Sequence, residues 1–226
     1  MATRTLLDVI HTTSDGSTTL NARLAYVARA RDKNLRTAME TLHRDVMDQV
    51  SPTTSAPLTG MLLVWDSCCL HYLEGPHQDL QRYIGALTAS LAGKDAPIVD
   101  PRVCTFVDDT GPPTYSFWDC SQLTATAGDE IDAVVYAEAA DFMAEAGSSM
   151  IALGSQLSAF DTQKRATAIQ KLQTFATDLP SPDRVTSMAM SHDLLSLDEF
   201  TSLFTKPVDI SPPWDGVWPA PSSIVL

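Results

Sequence analysis

The segment from residue 58 to residue 74 leaves this chain the least freedom. Leu58–Trp65 and Cys68–Glu74 are two nearly unbroken apolar runs separated only by Asp66-Ser67. Runs of this length on either side of a two-residue break predict two strands joined as a β-hairpin. A strand with one wet face alternates apolar and polar residues. These do not, so both faces must be covered and the hairpin belongs in the middle of a sheet. Gly75-Pro76 stops the second strand. Leu80, Tyr83, Ile84, Leu87 and Leu91 then recur at helical spacing, which predicts a helix over 77–91.

The flanking segments complete an order. Residues 4–11 read as a first strand, and the Ser/Thr/Asp/Gly-rich residues 12–19 as a loop. Leu20, Leu24, Val27, Leu35, Met39, Leu42, Val46 and Val50 follow at steps of three and four, predicting helix over about 30 residues, with Asn34 a candidate break. Ser51–Pro57 ends it, because proline blocks continuation. Val99–Val107 predicts a fourth strand, Asp108–Pro113 a turn and Thr114–Trp118 a short fifth strand. The result is β-α-β-β-α-β plus one strand. That is the ferredoxin-like split β-α-β order, an α+β fold with helices on one face of an antiparallel sheet.

The remainder is helical and then extended. Residues 129–160 carry an apolar stripe that includes Ile131, Val134, Phe142, Met150 and Leu157, which Gly147 and Gly154 weaken and could divide. It suits the open face of the sheet or a partner. Asp161 or Thr162 caps a further helix running to Leu179, Ser181-Pro182 has the order of a helix start, and Ser196-Leu197-Asp198-Glu199 is a capping box. The tail after Lys206 holds five of the fourteen prolines, with Trp214, Trp218 and Ile224-Val225-Leu226. Such a segment is either disordered or laid extended on another surface, and its aromatic content favours the second. Three regions follow: a sheet domain over 1–125, a helical extension over 126–205 and an interaction tail over 206–226.

Composition excludes several functions. The chain has 226 residues and a net charge of −13, of which −4 falls in residues 1–125 and −9 beyond them. Nucleic acid and anionic membranes need a basic surface and are poor partners. No apolar run is long enough to span a bilayer, and Met1–Leu7 lacks the apolar stretch of a signal peptide. Cys68, Cys69, Cys104 and Cys120 include no Cys-x-x-Cys pair. Free thiols in a reducing cytoplasm fit them better than disulfides.

Thr59-Gly60-Met61-Leu62-Leu63 followed by Leu73-Glu74-Gly75-Pro76, with Asp100-Pro101-Arg102-Val103 and Phe117-Trp118 further on, resembles the BLUF domain. BLUF domains are blue-light sensors using FAD, and their fold is ferredoxin-like. The resemblance covers roughly residues 4–123. In that family the flavin chemistry rests on a tyrosine in the first strand, a glutamine in the third and an asparagine before the second. By this resemblance the tyrosine position falls on His11 and the glutamine position on His71. The asparagine position falls in Thr53–Ser55, with Asn34 a more distant candidate, and the light-state methionine near Cys120. Only Trp118 matches. An imidazole does not offer the donor–acceptor geometry of a glutamine amide. The pattern resembles the divergent BLUF-like proteins of testis and motile cilia, which lack the flavin residues and associate with the axoneme.

The chemistry-bearing residues are read against that background. His11 and His71 are core or rim histidines rather than a metal pair, since no third ligand is evident. Cys69 and His71 share a strand face and Cys104 lies on a nearby strand, but they lack zinc spacing and an orienting acid for a nucleophile. Glu74 is expected to cap or brace the following helix. No Gly-x-Gly phosphate loop occurs. The resemblance therefore implies a non-enzymatic structural or adaptor subunit of the ciliary or flagellar axoneme without cofactor. Its partners would be other axonemal proteins or a second BLUF-like chain. Trp214, Trp218, Ile224, Val225 and Leu226 are the candidate contacts. Tubulin is itself acidic, so electrostatic binding to it is disfavoured. The alternative is a flavin-binding light or redox sensor, for which His11, His71, Trp118 and Cys120 would line the chromophore.

Overall fold

The computed structural model describes residues 20–31, 34–50, 56–124, 136–176 and 178–205. Its sheet has five strands: β1 (Asn21–Ala30), β2 (Thr59–Val64), β3 (Cys68–Pro76), β4 (Ile98–Thr110) and β5 (Trp118–Gln122). They lie in the order β4-β1-β3-β2-β5. Neighbours are antiparallel except β2 and β5, which run parallel. Helix α1 (Leu35–Val50) connects β1 to β2, and α2 (His77–Leu91) connects β3 to β4. This is the ferredoxin-like order with one added edge strand. The 58–74 hairpin is where its sequence places it. All nine residues of β3 are buried, and β2 is buried apart from Thr59.

The start of the sheet corrects the sequence reading. The segment holding Leu24 and Val27 is not helix but β1, between β3 and β4. A strand covered on both faces carries apolar residues at nearly every position. Leu24 and Val27 then fall at a helical step by chance. Residues 4–11 lie outside the described residues. The fifth strand is also displaced. Residues 114–117 are not strand, and β5 begins at Trp118.

Glu74 explains what residues 114–117 do instead. Its carboxylate accepts backbone N–H bonds from Thr114 at 2.5 Å and Tyr115 at 2.9 Å. Arg23 donates to it at 2.8 Å, and the Tyr72 hydroxyl at 3.2 Å. Glu74 therefore clamps the approach to β5 and does not cap α2, whose N-cap is Pro76 with no side-chain bond.

Helices cover both faces. One core packs α1 and α2 on the sheet through Leu24, Leu62, Leu73, Met39, Val46 and Leu87. The other face is closed by α3 (Tyr136–Ser158), α4 (Thr162–Gln170), α5 (Leu172–Phe175) and α6 (Pro182–Met190). The helical extension thus shares a core with the sheet. Gly147 and Gly154 do not divide α3. At Gly154 an added Cβ would lie 2.5 Å from Tyr115 Cε2, so the glycine lets that ring lie against the helix. The helix expected to run to Leu179 ends at Gln170, and α5 follows after Lys171.

The last turn of the chain wraps an edge. After α6 the backbone passes β4, where the Leu195 carbonyl accepts from Val103 N at 2.8 Å. It then enters α7 (Leu197–Thr205) on the α2 side of the sheet. The capping box forms as its sequence requires. Glu199 N donates to Ser196 Oγ at 3.2 Å, and Ser196 N to Glu199 Oε2 at 2.8 Å.

Candidate functional site

The strand register sets up one cross-sheet row. Tyr26 on β1 is opposite His71 on β3, His71 is opposite Leu62 on β2, and Leu62 is beside Cys120 on β5. Trp118 stands two residues before Cys120, on the same face and beside Gly60. Above this face, α1 contributes His43 and α2 contributes Tyr83. The five side chains make a cluster buried at the α1–α2 face.

Its bonds fix the tautomer of His71. Trp118 Nε1–H can only donate, and it donates to His71 Nε2 at 2.9 Å. His71 Nε2 is therefore unprotonated, and the neutral ring carries its proton on Nδ1. That Nδ1–H donates to the Tyr26 oxygen, 2.9 Å away. The Tyr83 hydroxyl is hydrogen-bonded to His43 Nδ1 at 2.9 Å. His43 lies flat on Trp118, with ring centroids 3.8 Å apart and planes within 3°.

Burial keeps these groups neutral. His71 is fully buried, and desolvation, then the neighbouring His43, holds its pKa well below the usual range. Burial pushes His43 down to about 3. The Tyr26 and Tyr83 hydroxyls are pushed upward, burial being the first cause in each. The arrangement has no charged acid or base at neutral pH and no nucleophile. What it does is tie β1, β3, β5, α1 and α2 to one another.

A flavin ring does not fit these residues. The open face of Trp118 is covered by the His43 imidazole, and both nitrogens of His71 are engaged within the protein. Among the described residues, the buried side-chain N or O atoms without a hydrogen-bond partner are Arg29 Nε and Arg102 Nε, neither in the cluster. A groove of about 720 Å³ runs beside α1, lined by Thr41, Asp45, Gln49 and Lys94 among others, and none of the cluster residues lines it.

The other residues singled out from the sequence are dispersed. Cys69 faces α1 and α2 with His71, while Cys104 packs in the opposite core. Among the described residues no three His, Cys, Asp or Glu side chains could hold a metal ion. The Cys104 and Cys120 thiols are pushed up to about 12 by burial, so neither supplies a thiolate. Cys120 is buried beside the cluster rather than in it. Asn34 opens α1, its carbonyl accepting from Ala38 N at 3.2 Å. His11, Thr53–Ser55, Trp214, Trp218, Ile224, Val225 and Leu226 lie outside the described residues.

Tyr26, His43 and Tyr83 are the site residues that the sequence reading did not assign to a site. The tyrosine of the first strand that meets His71 is Tyr26, hidden in a segment read as helix. The signal for His43 was present. It continues the spacing of Leu35 and Met39 and so stands in the buried stripe of α1. A polar side chain at such a position needs a buried partner.

The strand order and this self-satisfied cluster define a ferredoxin-like α+β domain whose buried polar side chains are bonded to one another. The profile of the family described as "Testis-expressed protein 47" matches residues 20–206, from the start of β1 to the end of α7. The chain belongs to that family. No curated protein matches it. Several solved structures resemble it. A bacterial light-regulated adenylyl cyclase is 13% identical with a TM-score of 0.35, the match covering 49% of this chain and 30% of the cyclase. BlsA in its photo-activated state is 14% identical at a TM-score of 0.35, covering 70% of this chain and 94% of BlsA. BlrB, a BLUF protein in its dark state, is 13% identical at a TM-score of 0.35, covering 70% and 97%. The chain thus spans under a third of the cyclase. The fold class stands on the strand order itself.

Proposed function

We propose that this protein is a non-enzymatic structural or adaptor subunit of the motile-cilium or sperm-flagellum axoneme. One observation carries the reading. The buried polar groups of the Tyr26, His71, Trp118, His43 and Tyr83 cluster are bonded to one another, with His43 stacked on Trp118. The domain is then a packing unit rather than a sensor. The family membership supports a role in the male germ line. The partners are other axonemal proteins, met through the tail residues Trp214, Trp218, Ile224, Val225 and Leu226. A net charge of −13 favours a basic or apolar partner surface over acidic tubulin.

Two measurements test this. Tagged protein in sperm or ciliated cells is expected to co-purify with demembranated axonemes. Complete extraction with the detergent-soluble fraction would sink the axonemal role. Purified protein is expected to lack blue absorbance, and stoichiometric flavin in the preparation would overturn the packing-unit reading.

A further inference from the structure

Residues 126–226 contain five basic side chains against fourteen acidic ones. Three of the five, Lys164, Arg165 and Lys171, fall on or beside α4. Lys164 and Lys171 stand on the rim of a cleft of about 680 Å³ between α4 and α5, whose apolar floor is Phe160, Ala168 and Phe175. Phe160 and Phe175 meet edge to face at 5.7 Å, and both line the cleft. Arg165 turns away and lies over Phe117 at 4.4 Å. Asp161 reaches Lys164 only at 3.7 Å, with both side chains mostly exposed, so this pair screens little of the rim.

The chain itself carries a complement. Residues 207–226 hold Asp209 and Asp215 and no basic residue, together with Trp218 and Ile224-Val225-Leu226. Five prolines bias this segment toward extended backbone, which lowers the entropy lost on docking. Reach is sufficient. Helix α7 ends at Thr205, on the opposite face from α4 and beside the opposite sheet edge. The sheet is about 20 Å across, and each helix layer adds about 10 Å. Trp218 lies thirteen positions past Thr205, up to ~45 Å in extended chain.

We propose that the tail of this same chain, from Asp209 to Leu226, docks in the α4–α5 cleft, with Trp218 or the terminal apolar residues on Phe160 and Phe175 and Asp209 and Asp215 toward Lys164 and Lys171. The proposal rests on the reading of the tail as the partner-contact segment. A docked tail is that segment held in reserve, and a partner must displace it to bind.

Engineered cysteines in the full chain test this, since the four native cysteines are buried. Thr174→Cys with Ser222→Cys is compared with Thr37→Cys and Ser222→Cys. Thr37 is exposed on α1, on the same face as α7, so a tail that is merely tethered reaches it at least as readily. Under mild oxidation, docking should form the intramolecular disulfide at the cleft about tenfold faster than at Thr37. Lys164→Glu with Lys171→Glu should abolish most of that advantage. Equal rates, disulfides only between two chains, or indifference to charge reversal would overturn the proposal. Axoneme co-purification is read separately. Protein that keeps the cleft disulfide preference but never enters axonemes refutes the axonemal role alone.

Discussion

The histidine cluster makes a quantitative statement about acid stability. His43 is held neutral in the folded protein, with its pKa lowered to about 3 from the usual 6.5. Below pH 6.5 the unfolded chain takes up a proton that the folded chain refuses. Stability from this group is therefore complete above pH 6.5 and declines as pH falls toward 3. At about 1.36 kcal/mol per pKa unit, the loss from His43 between pH 8 and pH 5 is about 2 kcal/mol. His71, also depressed, adds loss of the same sign. The perturbation that isolates His43 is His43→Phe. It keeps an aromatic ring on Trp118 but removes the bond with Tyr83, which costs about 1 kcal/mol. The variant should be less stable than the parent by about that amount at pH 8. At pH 5 it should be the more stable by a similar margin, because it no longer carries the His43 proton penalty. Urea unfolding followed by far-ultraviolet circular dichroism at several pH values measures both curves. Carboxylates titrate alike in the two proteins and cancel in the difference. Parallel curves, with no crossing between pH 8 and pH 5, would refute the claim that His43 is buried and neutral.

Two further perturbations probe the scaffold around the cluster. Glu74→Ala leaves the Thr114 and Tyr115 N–H groups and Arg23 without their acceptor. It should cost about 3–5 kcal/mol and speed amide exchange at residues 114 and 115. A cost below about 1 kcal/mol would show that the clamp is replaceable by solvent. Gly154→Ala drives a methyl into the Tyr115 ring and should destabilise by about 1–3 kcal/mol. Gly147→Ala meets nothing within 4 Å and should stabilise the same helix by about 0.5–1 kcal/mol. Equal effects of the two in thermal melts would contradict the close approach of Tyr115 to α3.

Much of the fold could be read in the chain because its hairpin is extreme. Only a central, doubly covered pair explains the apolar runs around Asp66-Ser67, and the stripe of Leu80, Tyr83, Ile84 and Leu87 can only be a helix facing the sheet. The same property hid β1. A strand with six of its ten residues buried, five of them in a row from Leu24 to Ala28, loses the alternation that marks a strand, and Leu24 and Val27 then imitate a helix. With β1 displaced, Tyr26 went unseen, and with it the partner of His71. The fifth strand, expected at Thr114–Trp118, is displaced to Trp118–Gln122 for another reason. Thr114 and Tyr115 are held by a carboxylate distant in sequence, and local pattern does not report such a bond. His71 and Trp118 were legible because they sit next to recognisable motifs. His43 and Tyr83 were legible only as members of stripes, since the hydrogen bond that joins them crosses between two helices.

Coverage of the sheet bears on how such a domain can bind anything. Both faces are buried under helices. At the β4 edge the Val103 N–H is already taken by Leu195. At the β5 edge the N–H of Cys120 is taken by its neighbour Asp119 at 2.7 Å. These groups would otherwise template a strand from another protein. With the cluster sealed by its own side chains, the sheet offers little to a ligand or an added strand. The proposed docking therefore falls to the outer surfaces of the helices and to the tail, and beyond residue 125 the chain carries a net charge of −9. In that acidic half, the cleft between Lys164 and Lys171 is the place where charge and apolar surface both favour an acidic, aromatic segment. The tail of the chain is such a segment, so its release would be the step that makes the protein competent to bind.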